Sequence, residues 1–175
     1  MPAVSVERTY LELRSRADLT PSRRIPTDPP VLARVSPISP EAYRLIYNAV
    51  GARWHWRDRL AWPDAQLQAQ LDRADVHVWV LGDPRDPDGY FELQGPVDGS
   101  VEIAYFGLVP RAMGRGLGAW LLTRAVEESW RAGATRVWLH TCTLDSPPAL
   151  PNYLARGFRE FHRERYVAEL PDAPR

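Results

Sequence analysis

Glycines at alternate positions, Gly114, Gly116 and Gly118, form the stretch of this sequence with the most direct chemical meaning. Glycine leaves the backbone N–H groups uncovered, and the apolar run that follows predicts a helix whose first N–H groups have no intrahelical partner. The positive end of the helix dipole attracts anions, and Arg111 and Arg115 would add charge at the rim. The loop therefore predicts a site for an anionic ligand such as a phosphate.

Spacing discriminates among the nucleotide sites that share a strand, a glycine loop and a helix. A nucleoside triphosphate loop ends in Gly-Lys-Ser/Thr, and this chain contains no lysine. A dinucleotide site has the spacing G-x-G-x-x-G and an acidic residue after the next strand. Here the spacing is G-x-G-x-G, and the next strand-like run ends in His140-Thr141-Cys142. Dinucleotide binding and a purely structural turn are therefore the less favoured interpretations.

Two blocks together resemble the GNAT superfamily of N-acyltransferases. The first joins the strand-like run 102–110 to the loop and helix start at 113–122, and it is similar to the acyl-CoA-binding motif of that family. The second, 149–158, resembles the family's late helix, in which a tyrosine stands four residues before a Gly-Phe pair. The chain departs from the family pattern at Met113, where Gln or Arg is usual, and at Ser146, where asparagine is frequent. Donor binding is expected to survive both changes.

The resemblance implies acetyl-CoA as the acyl-donating cosubstrate, with no metal. The main chain of the strand end would pair with the pantetheine arm, and the loop would hold the phosphates. The implied donor-binding residues are Leu108, Val109, Met113, Gly114, Arg115, Gly116, Leu117, Gly118 and Ala119.

Transfer of an acyl group from a thioester to an amine needs a group that accepts a proton and one that donates a proton. The resemblance implies that Tyr153 gives a proton to the departing thiolate, and a phenol with a pKa of about 10 keeps that proton at neutral pH. It also implies that Glu102 is the general base, acting through water in some subfamilies. His140 is a rival base because imidazole titrates near neutrality. A structural alternative stays open for each of the three residues. Tyr153 would pack in the core, Glu102 would be a solvated charge at a strand end, and His140 would have a structural role.

Two further residues near His140 have simpler interpretations. Asp145 precedes Ser-Pro and is typical of a helix N-cap. Cys142 lacks a nucleophile's usual partners and is interpreted as a small apolar filler.

The segment 54–62, Trp-His-Trp-Arg-Asp-Arg-Leu-Ala-Trp, is unusually aromatic and charged for a connection between helices. The family resemblance puts this connection beside the acceptor site. Aromatic walls suit a flat or cationic group and an arginine suits a carboxylate, so Trp54, Trp56 and Arg57 are the candidate acceptor-binding residues. A lid whose tryptophans pack on the domain is the equally weighted alternative.

Composition limits the class of protein. The 175 residues carry a formal net charge of +0, with both signs mixed along the chain, which gives no support for a nucleic-acid partner. No apolar run is long enough to predict a membrane span. The single cysteine favours a reducing compartment, and the cytoplasm is the predicted location. Exposed strand edges near the termini are compatible with a homodimer.

The predicted fold is a single α/β domain of the α+β type over residues 1–175, with a mixed sheet of six to seven strands flanked by about four helices. Residues 1–35 are predicted to form an edge strand followed by a proline-rich linker. The predicted helices begin at Pro40 and Pro63, and Asp98-Gly99 predicts a hairpin turn. The predicted function is acetyl transfer to a primary amine of a small molecule or peptide by direct attack in a ternary complex. The alternative is a noncatalytic acyl-CoA-binding or regulatory module with the same fold.

Overall fold

The computed structural model describes residues 3–170, which form a seven-stranded mixed sheet with helices on both faces. The strands are β1 (Ala3–Leu13), β2 (Leu32–Arg34), β3 (Val76–Asp83), β4 (Asp86–Val97), β5 (Ser100–Leu108), β6 (Arg136–Cys142) and β7 (Arg159–Glu169). The helices are α1 (Pro40–Gly51), α2 (Asp64–Leu71), α3 (Leu117–Arg131) and α4 (Ala149–Ala155). This arrangement confirms the predicted fold class.

The strand order is β2-β3-β4-β5-β6-β1-β7. The first strand therefore lies inside the sheet, paired with β6 on one side and β7 on the other, and the prediction that it is an edge strand is wrong. The local sequence of β1 resembles that of an edge strand because its inner position depends on distant partners. The segment after β1 crosses α3 and α4, where Thr20 N–H donates to Arg156 O and Ser22 N–H donates to Thr123 Oγ1.

Neighbouring residues of β5 show that α1 and α3 cover opposite faces of the sheet. Gly107 of β5 faces α1, because a Cβ built on it would lie 2.6 Å from Val50. Leu108, the next residue, faces α3, because its side chain lies 3.7 Å from a Cβ built on Gly118. Successive side chains of a strand point to opposite faces, so these two contacts belong to different layers. Buried apolar side chains therefore pack between the sheet and α1 on one face, and between the sheet and α3 on the other.

The strands β5 and β6 are the parallel pair of this sheet, and they separate soon after they meet. Their paired residues are Ser100 with Arg136, Val101 with Val137 and Glu102 with Trp138. Beyond these pairs β5 stays bound to β4, and β6 stays bound to β1. The divergence opens a gap in the middle of the sheet.

A β-bulge at Ala104 changes which side chains of β5 face α1. Glu92 of β4 is opposite Tyr105, whereas Leu93 is opposite Ile103, so Ala104 is the extra residue. A regular strand would direct residues three apart to opposite faces, but the bulge puts Tyr105 on the same face as Glu102.

No helix within residues 3–170 is long and apolar enough to cross a bilayer.

Replacement of Leu11 by alanine tests the inner position of β1. Leu11 has no exposed surface, and loss of its side chain is expected to lower the free energy of unfolding by about 2–5 kcal/mol. Val167 on the edge strand β7 is 70% exposed, and Val167→Ala is expected to change it by less than about 0.5 kcal/mol. Urea unfolding measures both variants, and equal small effects would contradict the burial of β1 between two strands.

Candidate active site

A cavity of about 700 Å³ occupies the gap between β5 and β6. It runs from the glycine loop before α3 to the aromatic connection after α1. Of the predicted site residues it is lined by Trp54, Trp56, Arg57, Leu108, Met113, Gly114, Gly116, Gly118, Ala119 and Tyr153. The other predicted residues, Glu102, Val109, Arg115 and Leu117, lie beside it without lining it.

The glycine loop has the backbone that the sequence predicts. Gly114 and Gly116 have φ values of +75° and +78°, a left-handed conformation that side chains disfavour. Helix α3 begins at Leu117 with no side-chain cap, so its first N–H groups are left for solvent or a ligand. A Cβ on Gly118 would lie 3.7 Å from Leu108 Cδ1 and 3.9 Å from Asn152 Nδ2. The missing side chain of Gly118 therefore leaves room in the cavity rather than relieving a clash.

The end of β5 offers fewer main-chain groups than predicted. Val109 N–H donates to Asp88 O at 2.9 Å, and Val109 O accepts from Ala112 N–H at 3.0 Å. Both groups are engaged within the fold, which corrects the expectation that they pair with a bound donor. Hydrogen-bonded and non-bonded pairs alternate along an antiparallel ladder, so the main chain of Leu108 and of Phe106 turns away from β4 towards the gap. Phe106 is a site residue that the sequence analysis missed.

The two loop arginines differ in their availability. Arg111 Nη1 lies 2.9 Å from Asp86 Oδ1, and Arg111 Nε lies 3.3 Å from Asp88 Oδ1. This side chain is tied to the first residues of β4, so the expectation of mobile charge at the rim is wrong for Arg111. Arg115 lines a second pocket of about 320 Å³ together with Arg24 and Leu117, next to the glycine loop.

Tyr153 is buried on α4 and faces the cavity. Its ring centroid lies 6.2 Å from that of Phe106 and 6.1 Å from that of Phe158. Burial raises the pKa of the Tyr153 phenol, and the negative charge of Asp145 raises it further. The phenol is therefore uncharged at neutral pH. Tyr153 is both packed in the core and accessible from the cavity, so the two interpretations of it are compatible.

Asp145 does not have the predicted N-cap role. Helix α4 begins after Pro148, and Asp145 Oδ2 accepts hydrogen bonds from Thr141 Oγ1 at 2.6 Å and from Cys142 N–H at 2.9 Å. These bonds hold the carboxylate at the end of β6, on the cavity wall. Cys142 beside it is half-buried, and burial raises the pKa of its thiol.

Glu102 and His140, the two candidate bases, lie close together. Glu102 Oε1 is 3.9 Å from His140 Nε2. Burial raises the pKa of the Glu102 carboxyl to about 7, with a further increase from the charge of Glu92 and an opposing effect of Arg59. Burial lowers the pKa of His140, and Arg8 lowers it further. His140 lines the cavity and Glu102 lies just behind its wall. Glu102 is therefore able to accept a proton near neutral pH, and the lowered pKa of His140 favours its neutral imidazole.

The aromatic connection combines packing with exposure. The ring centroid of Trp56 lies 5.2 Å from Tyr105, 5.6 Å from Tyr47 and 6.3 Å from Tyr90, so it packs on the domain and also walls the cavity. Trp54 is half-buried, and Arg57 is exposed.

Arg8, Tyr47, Tyr105 and Tyr166 also line the cavity, although no motif predicted them. Tyr47 lies on the buried face of α1, and the other three reach the cavity because of the strand order and the bulge. Within residues 3–170, no group of three or more His, Cys, Asp or Glu side chains is arranged to hold a metal ion.

Comparison with solved structures finds the same fold in proteins of low sequence identity. A GCN5-related N-acetyltransferase from Kribbella flavida superposes with a TM-score of 0.62 at 19% identity, over 94% of this chain and 58% of that one. A GCN5-related N-acetyltransferase from Sphaerobacter thermophilus superposes with a TM-score of 0.63 at 19% identity, over 93% of this chain and 50% of that one. A tandem GNAT protein from the clavulanic acid biosynthesis pathway superposes with a TM-score of 0.64 at 16% identity, over 96% of this chain and 55% of that one.

The chain thus spans between 50% and 58% of the length of these three proteins. No curated protein matches it. The family model described as the Acetyltransferase (GNAT) family matches residues 46–158, which is more than half of the chain and includes the glycine loop and Tyr153. The chain belongs to the GNAT acetyltransferase family.

Proposed function

We propose that this protein is an N-acetyltransferase that moves an acetyl group from acetyl-CoA to a primary amine of a small molecule or peptide, with both substrates bound at once. The observation that carries the proposal is one cavity that adjoins an uncapped helix start, free strand amides, a protonated phenol and a carboxyl group that titrates near neutrality. A noncatalytic acyl-CoA-binding module is the alternative. A binding module has no need of a carboxyl group that titrates near neutrality and a phenol that stays protonated beside the same cavity.

The residues on the α3 side of the cavity fit an acyl-CoA. The N–H groups at the start of α3 suit its pyrophosphate, and Arg115 adds a positive charge nearby. The free main chain of Phe106 and Leu108 suits the amides of the pantetheine arm, because an extended chain with its own amides takes the place of a strand. The space over Gly118 leaves room for that arm to pass.

Bound acetyl-CoA supplies an acetyl thioester, and the protein supplies proton transfer around it. The attacking amine must be neutral, so we propose that the Glu102 carboxylate accepts its proton, directly or through water. As the carbon–nitrogen bond forms and the carbon–sulfur bond breaks, Tyr153 Oη donates a proton to the sulfur. Glu102 must be ionised and Tyr153 protonated for this to occur, and a pKa of about 7 at Glu102 permits it above neutrality.

We propose that the acceptor binds on the opposite side of the sheet, against Trp54, Trp56 and Arg57. The tryptophan rings suit a flat or cationic portion of the acceptor, and the exposed guanidinium suits a carboxylate. Mutation of either tryptophan is accordingly expected to raise KM for the acceptor more than KM for acetyl-CoA.

Replacement of Gly118 by alanine separates donor binding from folding. The backbone at Gly118 is helical, so alanine is expected to raise stability by about 0.5–1 kcal/mol. The added methyl group fills the space proposed for the donor. If it costs bound acetyl-CoA about 1.4 kcal/mol in overpacking, the Kd for acetyl-CoA rises roughly tenfold. Isothermal titration with acetyl-CoA and thermal unfolding measure the two effects.

Arg131→Ala, at the exposed far end of α3, is the matched control and should leave the affinity for acetyl-CoA unchanged. Undiminished affinity in the Gly118→Ala variant would remove this part of the cavity from the donor site.

The pH dependence of kcat tests the role of Glu102. With saturating acetyl-CoA and the best acceptor from a panel of primary amines, kcat of the wild-type protein should fall as the pH drops below about 7, because Glu102 becomes protonated. Glu102→Gln should lower kcat by about 10²–10⁴-fold and abolish this acid limb. Thiol release measures the rate.

His140→Gln distinguishes the rival base. Loss of the acid limb in that variant alone would assign the proton transfer to His140. A protein that binds acetyl-CoA but releases no thiol with any amine in the panel would favour the noncatalytic module.

A further inference from the structure

A fully buried charged cluster lies beneath the aromatic connection, and the proposed chemistry does not use it. Glu92 of β4 has no exposed surface, and the Arg59 side chain is 5% exposed. The Glu92 carboxylate accepts hydrogen bonds from Arg59 Nη2 at 2.9 Å, from Tyr43 Oη at 2.5 Å and from Gln94 Nε2 at 2.9 Å. Replacing a buried ion pair with apolar side chains is often neutral or stabilising, so stability alone does not explain its presence.

Arg59 connects the aromatic segment to the sheet. It lies two residues after Arg57, and its guanidinium carbon is 4.3 Å from the ring centroid of Trp62 and 5.5 Å from that of Tyr105. Tyr105 belongs to β5 and lines the cavity. The guanidinium thus connects the segment 54–62, which carries the proposed acceptor-binding residues, to β4 and β5 beneath it.

The same cluster is next to Glu102. Gln94 is directly opposite Glu102 in the ladder of β4 and β5, and Glu92, two residues before Gln94, points to the same face. The charge of Glu92 raises the pKa of Glu102, while the charge of Arg59 lowers it. The other titratable groups around the cluster include His140 on β6, whose pKa burial lowers, and Asp58, whose charge acts on His140 and Tyr105. Burial raises the pKa values of four phenols on this face: Tyr43 and Tyr47 on α1, Tyr90 on β4 and Tyr105 on β5.

We propose that Glu92 and Arg59 are positioning residues of the acetyl-transfer site. Arg59 holds the acceptor-binding segment on the sheet, and the two opposite buried charges together set the fraction of Glu102 that is ionised at neutral pH. The inference rests on the proposed function for what Glu102 and the aromatic segment do, but the charge of Glu102 is measurable without any activity.

Glu92→Gln is the first test. The amide keeps the shape of the side chain, removes the negative charge that raises the pKa of Glu102 and leaves the Arg59 charge that lowers it. The pKa of Glu102 should fall from about 7 by about one unit or more. Carbon-13 NMR of protein labelled at the glutamate carboxyl carbon measures the titration, and loss of the signal in Glu102→Gln assigns it. The acid limb of kcat should move to lower pH by the same amount.

The double variant Glu92→Gln with Arg59→Met removes both charges, and it stays informative if an unpaired Arg59 prevents the single variant from folding. Because the raising and lowering charges leave together, the pKa of Glu102 should remain within about half a unit of the wild-type value. The segment loses its attachment, so KM for the acceptor should rise about tenfold or more while kcat keeps its acid limb and KM for acetyl-CoA is unchanged.

Glu12→Gln is the matched control, because Glu12 is another largely buried glutamate held by arginines, with Arg14 Nε and Arg136 Nε each 2.5 Å from its oxygens. It should move neither the pKa of Glu102 nor KM for the acceptor. An unchanged pKa of Glu102 in Glu92→Gln, or an unchanged KM for the acceptor in the double variant, overturns the proposal. A shifted pKa together with full activity of Glu102→Gln would sink the catalytic role of Glu102 and leave its electrostatic control by Glu92 standing.

Discussion

The separation of β5 from β6 after their third pair is the constraint on which the rest of the site depends. Beyond it the inner edge of β5 carries main-chain groups with no strand partner, and such groups cost free energy unless water or a ligand satisfies them. Closing the gap would require β5 to leave β4 or β6 to leave β1, and both of those pairings are extensive. The sheet therefore stays open at its centre, where the free edge of β5 is available to an extended ligand with amides of its own.

The gap also keeps apart the two groups for which we propose opposite proton-transfer roles. Tyr153 reaches the cavity from α4 on one face of the sheet, and Glu102 lies on the α1 face beside the buried Glu92. Burial raises the pKa of both groups, but it leaves a phenol protonated and brings a carboxyl group to the middle of its titration at neutral pH. The same physical effect thus gives each side chain the protonation state that its proposed role requires, because the two side chains start from different reference values.

Features of the site that depend on local sequence were predictable. The positive φ values of Gly114 and Gly116, the helix that begins at Pro40 and the turn at Asp98-Gly99 each follow from a few neighbouring residues. The inner position of β1 was not predictable, because strand order is decided by pairings more than a hundred residues apart. The engagement of Val109 with Asp88 was missed for the same kind of reason, since it depends on the register of β4 against β5.

Charged residues in the aromatic segment show where sequence patterns mislead about function. Arg57, Asp58 and Arg59 are consecutive and look alike as a solvated charged run, yet Arg57 and Asp58 are exposed and Arg59 is 4% exposed. The difference arises from Glu92, which is 33 residues away and lies in the buried stretch 89–93 of β4. A carboxylate inside such a strand is costly unless a cation reaches it, so Glu92 requires a partner and the turn at 58–60 directs Arg59 towards it. The proposed acceptor surface therefore depends on a buried charge beneath it as well as on the exposed faces of Trp54 and Trp56.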